Sequence, residues 1–183
     1  MTTRRITVFC SSSNRIAPVY LDAATALGDA IAREGWELVY GGNNLGSMAA
    51  VANACRAAGG RVIGVCPQLF VDKGHADPDC HEMIITTDMR SRKAKMEELG
   101  DAFITLPGGF GTLEEFSEML VGSLLKYHTK PVVLLNIAGF YSPLLEMFDK
   151  MIEENFAKPT TRASYLIANN VETAMAELRS RLA

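Results

Sequence analysis

Short apolar runs alternate along the whole chain with longer segments in which apolar positions recur at helical spacing. The runs ITVFC, WELVY, RVIGVC, MIIT, DAFITL, PVVLLN and YLIA read as strands. Between and after them, residues 19–34, 45–58, 88–99, 112–126, 141–155 and 171–182 read as helices. Strands that are apolar on both faces and separated by helices predict right-handed βαβ crossovers and a parallel sheet covered on both sides. The expected fold class is α/β, a Rossmann-like doubly wound parallel sheet. With 183 residues and 48% apolar content, the chain is long enough for one well-buried domain and short for two, so a single domain over 1–183 is expected.

In such sheets ligands collect at the carboxyl ends of the strands. Three turns rich in Gly or Ser fall there: Ser11-Ser12-Ser13, Gly41-Gly42-Asn43-Asn44-Leu45-Gly46, and the turn over 107–112. Together they could form a polar floor for a nucleotide, with Ser12, Gly41 and Gly42 among its contacts. The long polar loop over 67–81 could serve as a lid or be a surface connection.

The third turn is the most informative. Leu106-Pro107-Gly108-Gly109-Phe110-Gly111-Thr112-Leu113-Glu114-Glu115 leaves a strand and opens a helix. Glycines without Cβ atoms and free amides at a helix start suit a phosphate. Glu114 and Glu115 follow where the helix dipole tolerates negative charge. Thr112-x-x-Glu115 also matches a capping box, which would make this ordinary helix initiation. A capping box leaves the three glycines unexplained, although a tight turn could use two of them.

Upstream, Asp88 can cap the helix MRSRKAKMEEL, in which Met89, Met96 and Leu99 form an apolar stripe. Arg92 falls inside that stripe and Lys93 at its edge, while Arg90, Ser91, Lys95, Glu97 and Glu98 lie off it. An inward cation needs an acidic partner or an anionic ligand. A structural ion pair and snorkelling past the stripe are the competing explanations.

Other chemistry finds little support. The formal net charge of −3 and the absence of a basic patch interleaved with aromatics argue against nucleic acid. No apolar run approaches ~20 residues and no leader pattern opens the chain, so a soluble, cytoplasmic protein without membrane contact is expected. Cys10, Cys55, Cys66 and Cys80 lack CxxC spacing and read as structural. His75, His81 and His128 lack ligand spacing and read as surface or loop residues, so no metal site is expected. Met119, Leu120, Leu124 and Leu125 could serve an interface or the core.

PGGFGTLEE, preceded by Arg92-Lys93, resembles the hallmark of the LOG (Lonely Guy) family, the cytokinin riboside 5′-monophosphate phosphoribohydrolases, whose members were often labelled possible lysine decarboxylases. The likeness runs from VFCSSS through VYGG, VIGVCP, DAFITLPGG and KPVVLLN to GFYSPLLEMFDK. It implies a Rossmann-like homodimer that hydrolyses the N-glycosidic bond of an AMP-type, small-molecule purine nucleotide, releasing free base and ribose 5-phosphate. By the same resemblance Gly108, Gly109, Gly111 and Thr112 would hold the 5′-phosphate, Arg92 and Glu115 would be the catalytic pair, and Glu114 and Lys93 would lie close by. No metal or redox cofactor is implied.

The chain departs from the family pattern at Ser11, where Gly is usual, and at Gly41-Gly42-Asn43-Asn44-Leu45-Gly46-Ser47-Met48-Ala49, where GGGxxGLMG is common. Arg90-Ser91 replaces the usual His-Glu or His-Gln, and Val121-Gly122-Ser123-Leu124 replaces Thr-Trp-Ala-Gln. These changes leave the phosphate and catalytic ends intact and put the preferred base in doubt. A nucleotide-binding or sensing module could use the same turns without turnover. A decarboxylase built on pyridoxal phosphate would need a Schiff-base lysine with partners for the ring, and no lysine here stands in such a setting.

Overall fold

The computed structural model describes residues 3–183. Its strands are β1 (Arg5–Phe9), β2 (Glu37–Tyr40), β3 (Val62–Pro67), β4 (Glu82–Thr86), β5 (Ala102–Thr105), β6 (Val132–Leu135) and β7 (Leu166–Ala168). The helices are α1 (Pro18–Arg33), α2 (Gly46–Ala57), α3 (Gln68–Asp72), α4 (Met89–Leu99), α5 (Phe110–Leu124), α6 (Ser142–Glu153) and α7 (Val171–Leu182). Among the described residues the strands form one seven-stranded sheet in the order β4-β3-β2-β1-β5-β6-β7, with every neighbouring pair parallel. The expected doubly wound parallel sheet is thus the observed one. The chain winds outward from β1 in one direction and from β5 in the other, which opens a crevice between the carboxyl ends of those two strands.

Strand alternation divides the core into two layers. Ile6, Val8, Leu38, Tyr40, Val62, Ala102 and Ile104 pack with residues of α1, α2 and α7. On the opposite face Phe9, Val39, Ile63, Val65 and Phe103 pack with Met96 of α4 and with Phe116, Met119 and Leu120 of α5. Thr7 also faces α4, and its hydroxyl donates to the Met96 carbonyl at 2.9 Å. The edges depart from the expectation of strands covered on both faces. Ile85 on β4 and Ile167 on β7 are exposed, because each edge strand lacks a neighbour and full helical cover on one side.

Helix boundaries shift by a residue or two from those expected. The larger surprises are α3, inside the loop after β3, and short 3-10 turns at Ile137–Gly139 and Pro159–Ser164. His128 lies in a loop, as expected, and is buried there. Its ring meets Phe103 edge-on with centroids 5.3 Å apart, and its Nε2 lies 2.9 Å from the Met119 carbonyl oxygen. The thiols are free, and Cys10, Cys55 and Cys66 are buried. Burial pushes the Cys55 thiol up to about 11, in keeping with its reading as a small hydrophobe. Among the described residues no helix is long and apolar enough to cross a membrane.

Candidate active site

The β5–α5 turn forms one end of the site. Gly109 is the N-cap of α5, no side chain caps it, and the helix geometry leaves the Phe110, Gly111 and Thr112 amides without intrahelical acceptors. Gly109 and Gly111 face open space: a Cβ at either would have no neighbour within 4 Å. Gly108 has a different task. A Cβ there would lie 2.2 Å from Thr112 Oγ1, so its bare backbone lets Thr112 tuck in and become buried.

The capping-box reading of Thr112 and Glu115 is corrected by this geometry. Thr112 lies inside the first turn of α5, and Glu115 turns away from the helix start toward Arg92. Arg92 comes from α4, whose first turn is closed by Asp88: the Ser91 amide donates to Asp88 Oδ1 at 2.8 Å, and the Asp88 amide donates to Ser91 Oγ at 3.1 Å. One turn in, Arg92 reaches under the sheet edge. Its Nη1 donates to Glu115 Oε1 at 2.6 Å and its Nε to the Val65 carbonyl at 3.1 Å. Both members of the pair are buried, at 4% and 3% exposure. Nη2 lies against the backbone of Gly41, where a Cβ would stand 2.1 Å from it.

The pair opens onto a cavity of about 360 Å³ at the carboxyl edge of the sheet. Gly109, Gly111 and Thr112 line its end at the start of α5, and Ser11, Ser12, Ser13, Gly41 and Asn43 supply a polar wall. Met48, Phe70 and Met89 make the wall apolar elsewhere, with Cys10 and Cys66 completing the lining. Burial raises the Glu115 carboxyl above the usual glutamate range, and attraction to Arg92 offsets this only in part. Burial, reinforced by the Glu115 charge, also pushes the Cys10 thiol up, so it stays protonated at neutral pH.

Ser12, Gly41, Arg92, Gly109, Gly111, Thr112 and Glu115 therefore meet at one cavity. The other expected site residues stand behind it or beside it. Gly42, at φ +69°, directs its missing side chain toward Cys66 and Met83. Lys93 is more buried than a stripe-edge residue would be, because it bridges α4 to α5 by pairing with Glu114 and, at 2.6 Å, with Glu118. Glu114 is half-exposed and does not line the cavity. The sequence reading missed Met48, Phe70, Met89, Cys10 and Cys66 as lining residues. Met89, on the expected apolar stripe, is partly exposed at the first turn of α4. Only the position of Phe70 in the long loop hinted at contact with a ligand.

Comparison with known proteins gives these features a family. The family model described as "Possible lysine decarboxylase" matches residues 48–178. A cytokinin riboside 5′-monophosphate phosphoribohydrolase of Rhodococcoides fascians is 43% identical over 180 residues, covering 98% of this chain and 91% of the relative. The cytokinin riboside 5′-monophosphate phosphoribohydrolase LOG5 of Arabidopsis thaliana is 40% identical over 177 residues, covering 97% of this chain and 78% of the relative. Among solved structures, the molybdenum cofactor binding protein of Rippkaea orientalis matches with a TM-score of 0.76 at 25% identity, covering 100% of this chain and 99% of that one. The molybdenum cofactor carrier protein of Chlamydomonas reinhardtii matches with a TM-score of 0.74 at 24% identity over 99% of each chain, a likeness of fold. Identity of two residues in five with the phosphoribohydrolases over nearly the whole chain shows that the protein belongs to the LOG family of cytokinin riboside 5′-monophosphate phosphoribohydrolases, enzymes that cleave N-glycosyl bonds.

Proposed function

We propose that the protein hydrolyses the N-glycosidic bond of AMP-type nucleoside 5′-monophosphates, N6-substituted cytokinin nucleotides included, to free purine and ribose 5-phosphate. The observation that carries this reading is the buried Arg92–Glu115 pair set beside the uncapped start of α5. The 5′-phosphate takes the amides of Phe110, Gly111 and Thr112, with Gly109 and Gly111 permitting close approach. The phosphate then fixes the distance from the sugar to Glu115. The C1′–N9 bond breaks with its electron pair leaving on the base, which takes up a proton from solvent, while Glu115 returns to solvent the proton it gains from the attacking water. A water oxygen bonds to C1′ and gives its proton to the Glu115 carboxylate, which also stabilises the oxocarbenium-like sugar. Arg92 holds that carboxylate in place and favours its ionised form.

Chromatography of free base after incubation with AMP, N6-isopentenyl-AMP and adenosine tests the reading. Release is expected from both monophosphates, and far less from adenosine, which lacks the anchoring phosphate. Stable binding of both nucleotides with no base released would contradict it and leave a nucleotide-binding module without turnover.

The protein acts as a homodimer in this reading. Support comes from large apolar side chains left exposed on one chain: Val121 and Leu124 on α5, Leu125 and Tyr127 just past it, and Met147 and Met151 on α6. The buried members of the expected stripe, Met119 and Leu120, belong to the core instead. Free thiols at Cys10, Cys55, Cys66 and Cys80 fit a reducing compartment, the cytoplasm.

A further inference from the structure

The loop between β3 and β4 is long and polar, yet a buried acid holds its second half. Asp77 is 4% exposed. Its Oδ2 accepts from the Tyr40 hydroxyl at 2.6 Å and from Arg56 Nη1 at 2.8 Å, and its Oδ1 accepts from the Asp79 amide at 3.0 Å. Tyr40 is the fully buried last residue of β2, and Arg56 projects from α2. Backbone contacts run beside this network. The Asp77 amide donates to the Gly42 carbonyl at 2.8 Å, the Asn44 amide donates to the His75 carbonyl at 3.2 Å, and Asn43 bridges Ala76 in antiparallel sense.

These bonds stitch the loop to the turn over 41–44, which brings Gly41 and Asn43 to the cavity. His75 carries the connection onward. Its amide donates to the Phe70 carbonyl at 3.0 Å, and its ring stacks on Phe70 with centroids 6.4 Å apart and planes 23° apart. Phe70 lines the cavity. An unbroken path of contacts thus leads from Asp77 through His75 to an aromatic wall of the site. A buried carboxylate with several donors is a strong tie, because loss of any one partner leaves a desolvated polar group.

We propose that Asp77 is a positioning residue for nucleotide binding: it latches the loop over 67–81 to the β2–α2 turn, so that Phe70 stands as a fixed wall of the cavity before substrate arrives. The latch itself follows from the geometry, and its effect on nucleotide binding rests on the proposed function. A preordered wall spares the substrate the entropy of ordering the loop. Loosening it weakens binding while the Arg92–Glu115 pair, held by Val65 and by α4 and α5, stays in place.

Asp77→Asn and Tyr40→Phe, compared with wild type, separate the two halves. Hydrogen exchange of peptides covering 68–76 reads the latch, and the KM and kcat of base release from AMP read its effect. Both variants should exchange about tenfold faster or more in that segment, with KM raised about fivefold and kcat within about twofold of wild type. Unchanged exchange overturns the proposal, as does faster exchange with unchanged KM, or a fall in kcat at constant KM. If Asp77→Asn fails to fold, Tyr40→Phe carries the test, since it keeps the ring that packs in the core. If wild type releases no base, the hydrolase reading fails by itself. AMP affinity by calorimetry then replaces KM, and the latch is upheld by weaker binding in the variants or overturned by equal binding or by a wild type that binds no AMP.

Discussion

Neither Arg92 nor Glu115 could sit where it does alone, since a buried unpaired charge costs several kcal/mol. Together they satisfy each other at 2.6 Å, and the Val65 carbonyl accepts a further hydrogen bond from the guanidinium Nε. Burial still wins at the carboxyl, which is raised above the ordinary value of 4.5. A raised carboxyl keeps its proton to higher pH than free glutamate, so the ionised form that the proposed mechanism uses to accept a proton from water is lost as pH falls through that raised value. The rate of base release, as kcat/KM against pH, should therefore decline on the acid side with an apparent pKa above 4.5. An acid limb at or below the free-glutamate value would contradict this. Arg92 was legible in the sequence because helical spacing put it among Met96 and Leu99. Glu115 was legible as its partner only through the family resemblance: by spacing alone Thr112-x-x-Glu115 has the letters of a cap, and the approach of α5 to α4 shows the carboxylate turned to Arg92 instead.

Among elements, the turns after β2 and β5 work by what they lack. Gly41 lies under the guanidinium, and a methyl there would stand 2.1 Å from Arg92 Nη2 and 2.9 Å from the Met48 side chain. Gly41→Ala should fold and yet push Arg92 off Glu115, lowering base release by roughly 10²-fold, the scale set by a 1 Å misplacement of a catalytic group. Circular dichroism alongside the rate checks it; near wild-type activity would show that Arg92 can move without loss. The strands were legible because their apolar runs are short and bounded, as ITVFC and DAFITL illustrate. The short helix α3 was not, since its five residues, QLFVD, are too few to show a helical period. The start of α5 lay hidden two residues early because Gly109, a residue with no capping side chain, occupies the N-cap.

At the scale of the whole molecule, the strand order brings together what the sequence keeps apart. β1 and β5 are neighbours in space, so the Ser11–Ser13 turn and the 108–112 turn share a crevice despite a separation of most of a hundred residues. Alternating strands and helices made the doubly wound class legible, but periodicity is silent on which strands adjoin and on which helix faces stay bare. Those bare faces carry the dimer proposal. Sedimentation velocity should give a species of about twice 19.9 kDa, and Leu125→Glu, placing a charge on an exposed apolar position of the α5 end, should shift it to monomer; a monomeric wild type would contradict the interface. The hydrolase assignment itself is tested most directly by single-turnover base release from AMP, comparing wild type with Glu115→Gln while AMP affinity is measured on both. The expected result is cleavage by wild type and a loss of roughly 10²–10⁴-fold in Glu115→Gln with AMP still bound; cleavage by Glu115→Gln at the wild-type rate, or a wild type that binds AMP and never releases base, would contradict it.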